Sequence, residues 1–329
     1  MGSITDVPGV KVGQAQDAIA LTGVTVIVLP DGGVAGVDVR GASPGTRETD
    51  LLDPANAVQK INAIVLAGGS AFGLAAATGV VKYLREQGFG FDTPYGKVPI
   101  VPAAVIYDLG IGQPDVFPDE IMGYQAARLA SSQVSEGNVG AGTGASIGKV
   151  LGSGSAMKSG IGTASAVLNM AVPGLPAARY TVGALVVTNA FGDVYVGDRI
   201  LAGALLPGDG GFVNTSYLLR EGVAQSPSTG TNTTLAVIAT DAPLTKAAAK
   251  RLAVMAHDGL ARSINPVHTM FDGDVVFAVS TGGLPPTSEM DALLVTALGS
   301  LAADILAEAV HRSVTTALPT GGLAALAQS

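Results

Sequence analysis

Asn232-Thr233-Thr234 is the first stretch of the sequence in which residue type and position suggest chemistry. It joins a polar, turn-rich connection, about residues 207–232, to an apolar and β-branched run that ends at Thr240. A hydroxyl at residue 233 could attack the carbonyl of residue 232 and shift the acyl group from nitrogen to oxygen. Hydrolysis of that ester would free the Thr233 α-amine, which has a pKa near ~8 and can act as base for its own hydroxyl. The alternative interpretation is a threonine that begins a strand.

Asp272 and Asp274 form a second candidate. Two carboxylates separated by one residue can orient an ammonium group and accept a hydrogen bond from a hydroxyl. They could instead bind a metal, although the closing acidic residue of a calcium loop is missing, or they could cap the following strand. His268 lies close to this pair in the sequence and is a further candidate. A structural hydrogen bond is an equally good interpretation of this histidine.

Other motifs fit known sites less well. Residues 140–145 match a dinucleotide-binding glycine pattern only loosely, because no strand–turn–helix unit frames them. A phosphate loop around Gly148 fails at Thr143, where the first glycine would be needed. Ser70 is one place too early for a nucleophile elbow. The three histidines lack zinc-ligand spacing, which argues against a zinc site. The chemistry suggested for Thr233 requires neither a metal nor an organic cofactor.

The first elements are expected to be short strands joined by glycine turns. Residues 24–29 and 34–39 predict two strands of a hairpin around Asp31-Gly32-Gly33. Residues 63–66 predict a buried strand, which a glycine turn connects to a helix that begins near Phe72.

The middle of the chain predicts a strand at residues 180–188, paired with a strand at 192–196. The connection over residues 207–232 is expected to be exposed, with one short helix near 217–221. Exposed segments of this kind tolerate a cut in the backbone.

The last hundred residues predict the order β-α-β-α. A strand at 234–240 precedes a helix that begins at Asp241-Ala242-Pro243 and runs to about Ser263. A strand at 275–280 follows. Ser288 and Asp291 then resemble the capping box of a final amphipathic helix.

Composition predicts a globular protein: hydrophobic residues make up 48% of the 329 residues and charged residues only 13%. The net charge of -8 and the lack of a basic run argue against binding to nucleic acid or to an anionic membrane. There is no cysteine, which excludes disulfides and thiol nucleophiles. No signal peptide is recognised, so the cytoplasm is the expected location.

Several stretches together resemble one family, the self-processing L-aminopeptidase/D-esterase family, which includes β-aminopeptidases and the 6-aminohexanoate-oligomer (nylon) hydrolases. The resemblance lies in VDVRGASPGTRETDLLDP (37–54), LAGGSAFGLAAATGV (66–80), VPAAVIYDL (101–109), GNVGAGTGASIGK (137–149), GALVVTNAFG (183–192), NTTLAVIATDAPLT (232–245) and HDGLARSINPVHTMFDGDVVFAVSTG (257–282). The threonine and the Asp-Gly-Asp pair resemble the nylon-hydrolase branch, since the aminopeptidases typically carry serine and a Ser-x-Glu pair. TRETDLLDP resembles the broader, uncharacterised majority of the family.

This resemblance implies an α/β fold, a four-layer α/β/β/α sandwich similar to that of N-terminal-nucleophile hydrolases. It implies a single domain, 1–329, cleaved between Asn232 and Thr233 into an α chain, 1–232, and a β chain, 233–329. The active-site residues that it implies are Thr233 as nucleophile, Lys149, Asn189, Asp272 and Asp274, with Tyr107 in the substrate pocket. Asn189 would donate its amide N–H to the oxyanion, and the two aspartates would hold the Thr233 amine and hydroxyl. The family also implies a homo-oligomer, a tetramer or octamer.

Three functions remain open on the sequence alone. The first is an amidohydrolase acting on short peptides or ω-amino-acid oligomers, with aminopeptidase, D-amino-acid esterase and β-aminopeptidase activity as variants. The second is an acyltransferase of the ornithine acetyltransferase type, which would pass a similar acyl group to an amine. The third is a dinucleotide-binding protein that uses the loop at Gly140.

Overall fold

The computed structural model describes residues 2–171, 177–206, 208, 211–223, 231–285 and 292–328. The strands within these ranges are β1 (Lys11–Asp17), β2 (Thr22–Val39), β3 (Thr46–Arg47), β4 (Lys60–Ala67), β5 (Phe91–Thr93), β6 (Gly96–Val98), β7 (Ala103–Val105), β8 (Ser146–Ile147), β9 (Met157–Lys158), β10 (Ile161–Met170), β11 (Ala178–Asn189), β12 (Asp193–Val196), β13 (Arg199–Ala202), β14 (Thr233–Thr240), β15 (Ile264–Asn265) and β16 (Val275–Ser280). The helices are α1 (Ala76–Glu86), α2 (Glu120–Arg128), α3 (Thr215–Arg220), α4 (Lys246–Ser263) and α5 (Ala292–Thr315).

Strand β2 belongs to both halves of the main sheet, whose order is β10-β11-β14-β16-β2-β4-β7-β3, with β1 also paired to β2. Residues 22–28 of β2 pair with β1 and β4, whereas residues 34–39 pair with β16. The register shifts between Val28 and Gly33, and Gly32 has a φ of +72°. The predicted hairpin is therefore wrong. The glycines bend one continuous strand. Its first half pairs with β1 and β4, which lie nearby in the sequence, whereas its second half pairs with β16, which lies far along the chain.

The bend in β2 folds the sheet into two layers with a core between them. On β14, Val237 faces this inner core, whereas Ile238 faces the outer core beneath α4 and α5. On β2, Ile27 faces the inner core and Val26 faces a third core beneath α1 and α2. Alternate residues of a strand point to opposite faces, so each layer is buried on both sides. The result is the expected α/β/β/α sandwich.

Strand β14 lies in the middle of one layer. It pairs antiparallel with β11, where Asn189 is opposite Thr233, and parallel with β16. Helix α4 provides the crossover between β14 and β16, because parallel neighbours need a long connection. This arrangement brings the residues just before β16 alongside the residues that begin β14.

Helix α4 begins later than the sequence predicted. Its N-cap is Thr245, whose side chain accepts a hydrogen bond from the Ala248 N–H. Asp241, the predicted cap, instead accepts the Thr181 N–H at 2.7 Å. The predicted end at Ser263 is confirmed. The predicted strand at 275–280 is also confirmed.

The remaining expectations have mixed outcomes. The strand at 63–66 and the helix after the glycine turn are present as β4 and α1, with a 3₁₀ turn between them. The short helix near 217–221 is α3. Strand β12 pairs with β13 and β15 rather than with β11 as predicted. The capping box at Ser288 and Asp291 lies outside the described residues, as does much of the predicted exposed connection.

Helix α5 has the length and apolar composition of a membrane span. In this fold it covers the sheet instead. Its buried residues, among them Leu298, Leu306 and Val310, belong to the outer core formed with α4, β10 and β11. A helix that is apolar on most of its surface is therefore explained here by burial within the protein.

Candidate active site

The peptide between Asn232 and Thr233 is enclosed at the start of β14. Asn232 is 0% exposed and Thr233 is 3% exposed, so the predicted exposed connection has become buried by this point. The Thr233 Oγ1 lies 2.5 Å from the Asn232 carbonyl oxygen. The Gly273 N–H donates to the same oxygen at 2.8 Å. The Gly273 N–H therefore polarises this carbonyl, and the Thr233 hydroxyl lies beside it. A fixed donor on the carbonyl oxygen favours attack on the carbonyl carbon.

Gly273 lies against the Thr233 hydroxyl and leaves no room for a side chain at this position. A Cβ at residue 273 would lie 2.7 Å from Thr233 Oγ1 and 2.5 Å from the Ser43 carbonyl oxygen. A side chain here would displace the hydroxyl or the loop that contains Ser43. Gly273 is a site residue that sequence reasoning missed, since the Asp-Gly-Asp spacing drew attention to the two acids.

Asp274 supports the peptide that follows the candidate nucleophile. Its Oδ1 accepts the Thr234 N–H at 2.6 Å. Its Oδ2 accepts the His268 backbone N–H at 3.1 Å and lies 2.7 Å from His268 Nδ1. The carboxylate therefore holds the residue next to Thr233, while the Thr233 hydroxyl is bonded to the Asn232 carbonyl. This differs from the direct hold on Thr233 that the sequence suggested.

Asp272 ties together two neighbouring loops. Its Oδ1 accepts the Phe191 N–H at 3.2 Å, and its Oδ2 accepts the Thr269 N–H at 3.0 Å and the Thr269 hydroxyl at 2.5 Å. Burial raises the pKa of Asp272 to about 6, and the nearby Asp274 charge adds to the increase. Its hydrogen bonds oppose that increase. Asp272 thus organises the backbone around the site.

Asn189 stands opposite Thr233 on the neighbouring strand. Its Oδ1 accepts Lys149 Nζ at 2.7 Å and the Ser146 N–H at 3.1 Å. Its Nδ2 donates to the main-chain carbonyl of Tyr107 at 3.1 Å. One amide hydrogen is therefore committed to Tyr107, which contributes its backbone here rather than the side chain that the sequence singled out.

Lys149 links this amide to the chain just before the candidate cleavage point. Besides Asn189 Oδ1, its Nζ lies 3.5 Å from the carbonyl oxygen of Thr231. Burial lowers the pKa of Lys149 to about 7, while the carboxylates of Asp272 and Asp108 act in the opposite direction. A lysine in this range is present partly as a free amine at neutral pH and can then accept a proton.

A second buried cluster supports the glycine-rich loop that carries Ser146 and Lys149. Lys158 is 0% exposed, and its Nζ donates to the carbonyl oxygens of Gly142, Ala145 and Ser159 at 3.0, 2.8 and 2.5 Å. Burial lowers the pKa of Lys158 to about 7, opposed by the Asp108 charge. Sequence reasoning did not assign this buried role.

Asp108 anchors the other side of the same region. Its carboxylate accepts the Thr22 hydroxyl at 2.8 Å and the Gly69 N–H at 2.7 Å. Burial raises the pKa of Asp108, although these hydrogen bonds and Lys158 work against the increase. Residues 140–148 are themselves buried or half-buried, and the Ala141 N–H donates to Thr25. Close packing therefore accounts for the glycines of this loop without a bound dinucleotide.

The sequence and the fold are similar to those of known proteins over nearly the whole chain. The model of peptidase family S58 matches residues 2–326. An uncharacterized aminopeptidase of Mycobacterium tuberculosis is 45% identical over 360 aligned positions, which cover 98% of this chain and 96% of that protein. A 6-aminohexanoate-oligomer endohydrolase of Kocuria sp. is 31% identical, with 93% of this chain and 84% of that protein covered.

Two solved structures are similar to this fold over nearly the whole chain. A Burkholderia sp. beta-aminopeptidase superposes with a TM-score of 0.72 at 26% identity and covers 98% of this chain and 90% of its own. An L-aminopeptidase D-Ala-esterase/amidase from Ochrobactrum anthropi, described as a variant of the Ntn hydrolase fold, gives a TM-score of 0.70 at 24% identity, with 96% of this chain and 86% of its own covered. The second likeness concerns the fold alone.

Proposed function

Because the chain belongs to peptidase family S58, we propose that it is a self-processing amidohydrolase whose nucleophile is Thr233. One observation carries the proposal. The Thr233 hydroxyl and the Gly273 N–H meet at the carbonyl oxygen of Asn232, in a peptide that is buried from water. A hydroxyl beside the carbonyl that precedes it, with a fixed donor on that oxygen, is the arrangement that an acyl shift requires.

Self-cleavage begins with attack of Thr233 Oγ1 on the carbonyl carbon of Asn232. The hydroxyl proton passes to a base, for which the free amine of Lys149 is proposed, and the Gly273 N–H stabilises the resulting oxyanion. The C–N bond then breaks, and its nitrogen takes a proton to become the Thr233 α-amine. Water hydrolyses the remaining ester, which leaves a carboxylate on Asn232 and a free hydroxyl on Thr233.

Turnover repeats this chemistry on an external amide. The new α-amine accepts the proton of the Thr233 hydroxyl as Oγ1 attacks the substrate carbonyl. The amine leaving group departs with a proton, and the acyl group remains on Oγ1 as an ester. Water then releases the acid and restores Thr233. Asn189 is proposed to orient Lys149 and to offer an amide hydrogen to the substrate oxyanion.

The proposed substrates are short peptides or ω-amino-acid oligomers. Support comes from the printed names of the relatives, a mycobacterial aminopeptidase and a hydrolase of 6-aminohexanoate oligomers. Thr233 with Asp272 and Asp274 favours the second type. The expected homo-oligomer, tetramer or octamer, and the cytoplasmic location stay predictions.

Intact mass spectrometry of the purified protein tests the nucleophile. We expect wild type to give two fragments, 1–232 and 233–329, and Thr233→Ala to give one full-length chain, because the attacking oxygen is gone. Thr233→Ser is the matched control and should still be cut, since serine keeps the hydroxyl. Cleavage of Thr233→Ala at the same bond, or an uncut and active wild type, would refute the proposal.

A further inference from the structure

His268 converges on the Asp274 carboxylate with two groups at once. Its backbone N–H and its ring Nδ1 both lie within hydrogen-bond distance of Oδ2, at 3.1 and 2.7 Å. This requires a backbone φ of +55°, in the left-handed region that residues other than glycine seldom adopt. Strained backbone of this kind persists where surrounding contacts enforce it and is concentrated at functional sites.

A second histidine buttresses the first. The rings of His257 and His268 meet edge to face, with centroids 4.7 Å apart and planes at 77°. His257 Nε2 lies 3.1 Å from the Asp38 carbonyl oxygen, which can only accept, so Nε2 carries the proton. Burial lowers the pKa of His257 to about 4, so this ring is neutral at neutral pH, although Asp38 favours its charged form.

The two rings leave one nitrogen each without a hydrogen-bond partner inside the described part of the chain, His268 Nε2 and His257 Nδ1. Buried polar atoms are normally paired, and unpaired ones in a folded protein call for an explanation. Here the orientation of each ring is set by its other nitrogen, which is His268 Nδ1 next to the Asp274 carboxylate and His257 Nε2 next to the Asp38 carbonyl. His268 Nδ1 must carry a proton to face the carboxylate of Asp274.

We propose that His268, held by His257, is a positioning residue that fixes Asp274 and, through the Thr234 N–H, sets Thr233 for attack. This inference rests on the proposed function. Asp274 has two oxygens, one bonded to Thr234 and the other to His268, so the histidine fixes the rotation of the carboxylate. Removal of the His268 ring leaves Oδ2 with only the backbone N–H of residue 268, at 3.1 Å, so the carboxylate rotates more freely, the first peptide of β14 loosens and Oγ1 moves away from the Asn232 carbonyl. Misplacement of a reacting atom by about 1 Å can slow a reaction ~100-fold.

The rate of self-cleavage measures this role without an external substrate. The precursor is made by cell-free synthesis, and the fraction cut is followed over time by intact mass. We expect His268→Gly, which permits the positive φ but removes the ring, to slow cleavage at least about tenfold. His268→Asn should restore the rate to within about threefold, since asparagine tolerates this φ and its Nδ2 can donate to Asp274.

Two further variants separate positioning from general damage to the fold. His268→Asp has the shape of the asparagine variant but offers Asp274 no side-chain donor, so it should be as slow as His268→Gly. His311→Ala is the matched control. This half-buried ring bonds the Tyr195 carbonyl at 2.8 Å from α5, and its loss should leave the cleavage rate unchanged. Thermal unfolding of each variant reports whether it folds.

The outcomes separate this inference from the function on which it rests. If wild type is cut and His268→Gly is cut equally fast, His268 does not position the nucleophile. If His268→Asn is as slow as His268→Asp, the hydrogen bond to Asp274 is not what matters and the inference is wrong. A wild type that stays uncut, like Thr233→Ala, overturns the proposed function itself.

Discussion

Lys149 carries two possible roles that the pH dependence can tell apart. As an ammonium group it would stabilise negative charge, and as a free amine it would accept the Thr233 proton. Its pKa, lowered to about 7 by burial, places the change between these forms near neutral pH. The precursor has no α-amine at residue 233, so its first proton acceptor must be another group. This favours the free amine in the self-cleavage step.

Self-cleavage should therefore accelerate as the pH rises from about 6 to about 8, because Lys149 loses its proton over this range. Lys149→Arg keeps a cation beside Asn189 but cannot lose its proton, so it should be slow and lack the rise near pH 7. The measurement is the fraction of precursor cut over time, by intact mass, at each pH. A rate that falls above pH 7, or an arginine variant with the wild-type profile, contradicts the role as base.

At the level of single residues, the sequence predicted which side chains meet but not how they bond. Thr233, Asn189, Lys149, Asp272 and Asp274 all lie around the Asn232–Thr233 peptide, as their resemblance to one family implied. The bond from Asn189 to the Tyr107 carbonyl could not be predicted, because it depends on where a loop 82 residues away places its backbone. Gly273 contacts the Asn232 carbonyl through its backbone N–H, and a backbone contact cannot be read from the residue type.

At the level of elements, the loop that carries Lys149 depends on Lys158. Three carbonyl oxygens of the surrounding turns accept hydrogen bonds from the Nζ of this one buried lysine. A carbonyl that is buried without a donor is costly, so the loop and the lysine stabilise each other.

Lys158→Met should lower the free energy of unfolding by about 1–3 kcal/mol, since it fills the same space but takes the lysine donor away from three buried carbonyls. The Gly142 and Ala145 carbonyls keep the backbone N–H groups of Ala145 and Ser159, so the main loss is at the Ser159 carbonyl. Urea denaturation followed by circular dichroism checks this in the uncut Thr233→Ala background, where each variant is a single chain. Lys250→Met is the control. Its exposed ammonium group lies 3.5 Å from Asp53, and its loss should change stability by less than about 0.5 kcal/mol. Equal stability of the two variants would show that Lys158 is dispensable.

The strands that the sequence misread pair with partners other than those that the local signals indicated. Asp31-Gly32-Gly33 is a sound turn signal, yet the glycines only bend β2, because residues 24–28 pair with β4 and residues 34–39 pair with β16 rather than with each other. Strand β12 pairs with β13, which follows it directly, and with β15, but not with β11, which precedes it. By contrast, β16 and the end of α4 were predicted correctly, since a continuous apolar run and a long periodic helix depend little on their neighbours.

At the level of the whole molecule, the described residues after the proposed cut are an integral part of the sandwich, since they supply two central strands of one layer and the helices on its outer face. Strands β14 and β16 are neighbours in the sheet, with β11 on one side and β2 on the other. Helices α4 and α5 cover that face. The 233–329 chain would therefore remain bound to the 1–232 chain by two strand pairings and a shared core.

Size-exclusion chromatography of the cut protein without denaturant should give one peak that contains both fragments in equal amounts. Its elution volume should match that of the uncut Thr233→Ala protein, because the cut changes no layer of the fold. Denaturing electrophoresis of the same peak would separate the two chains. Release of the smaller fragment under native conditions would contradict the central position of β14.

Because β14 is a central strand, the cut protein would refold less readily than the uncut chain folds. A continuous chain can fold on its own, and its rate of folding does not depend on how many copies surround it. After the cut, two separate polypeptides would have to meet by diffusion before β14 could insert between β11 and β16, so recovery from denaturation would slow on dilution. Folding before the cut is therefore easier than refolding after it, and the finished protein keeps a structure that its two separated chains would rebuild only with difficulty.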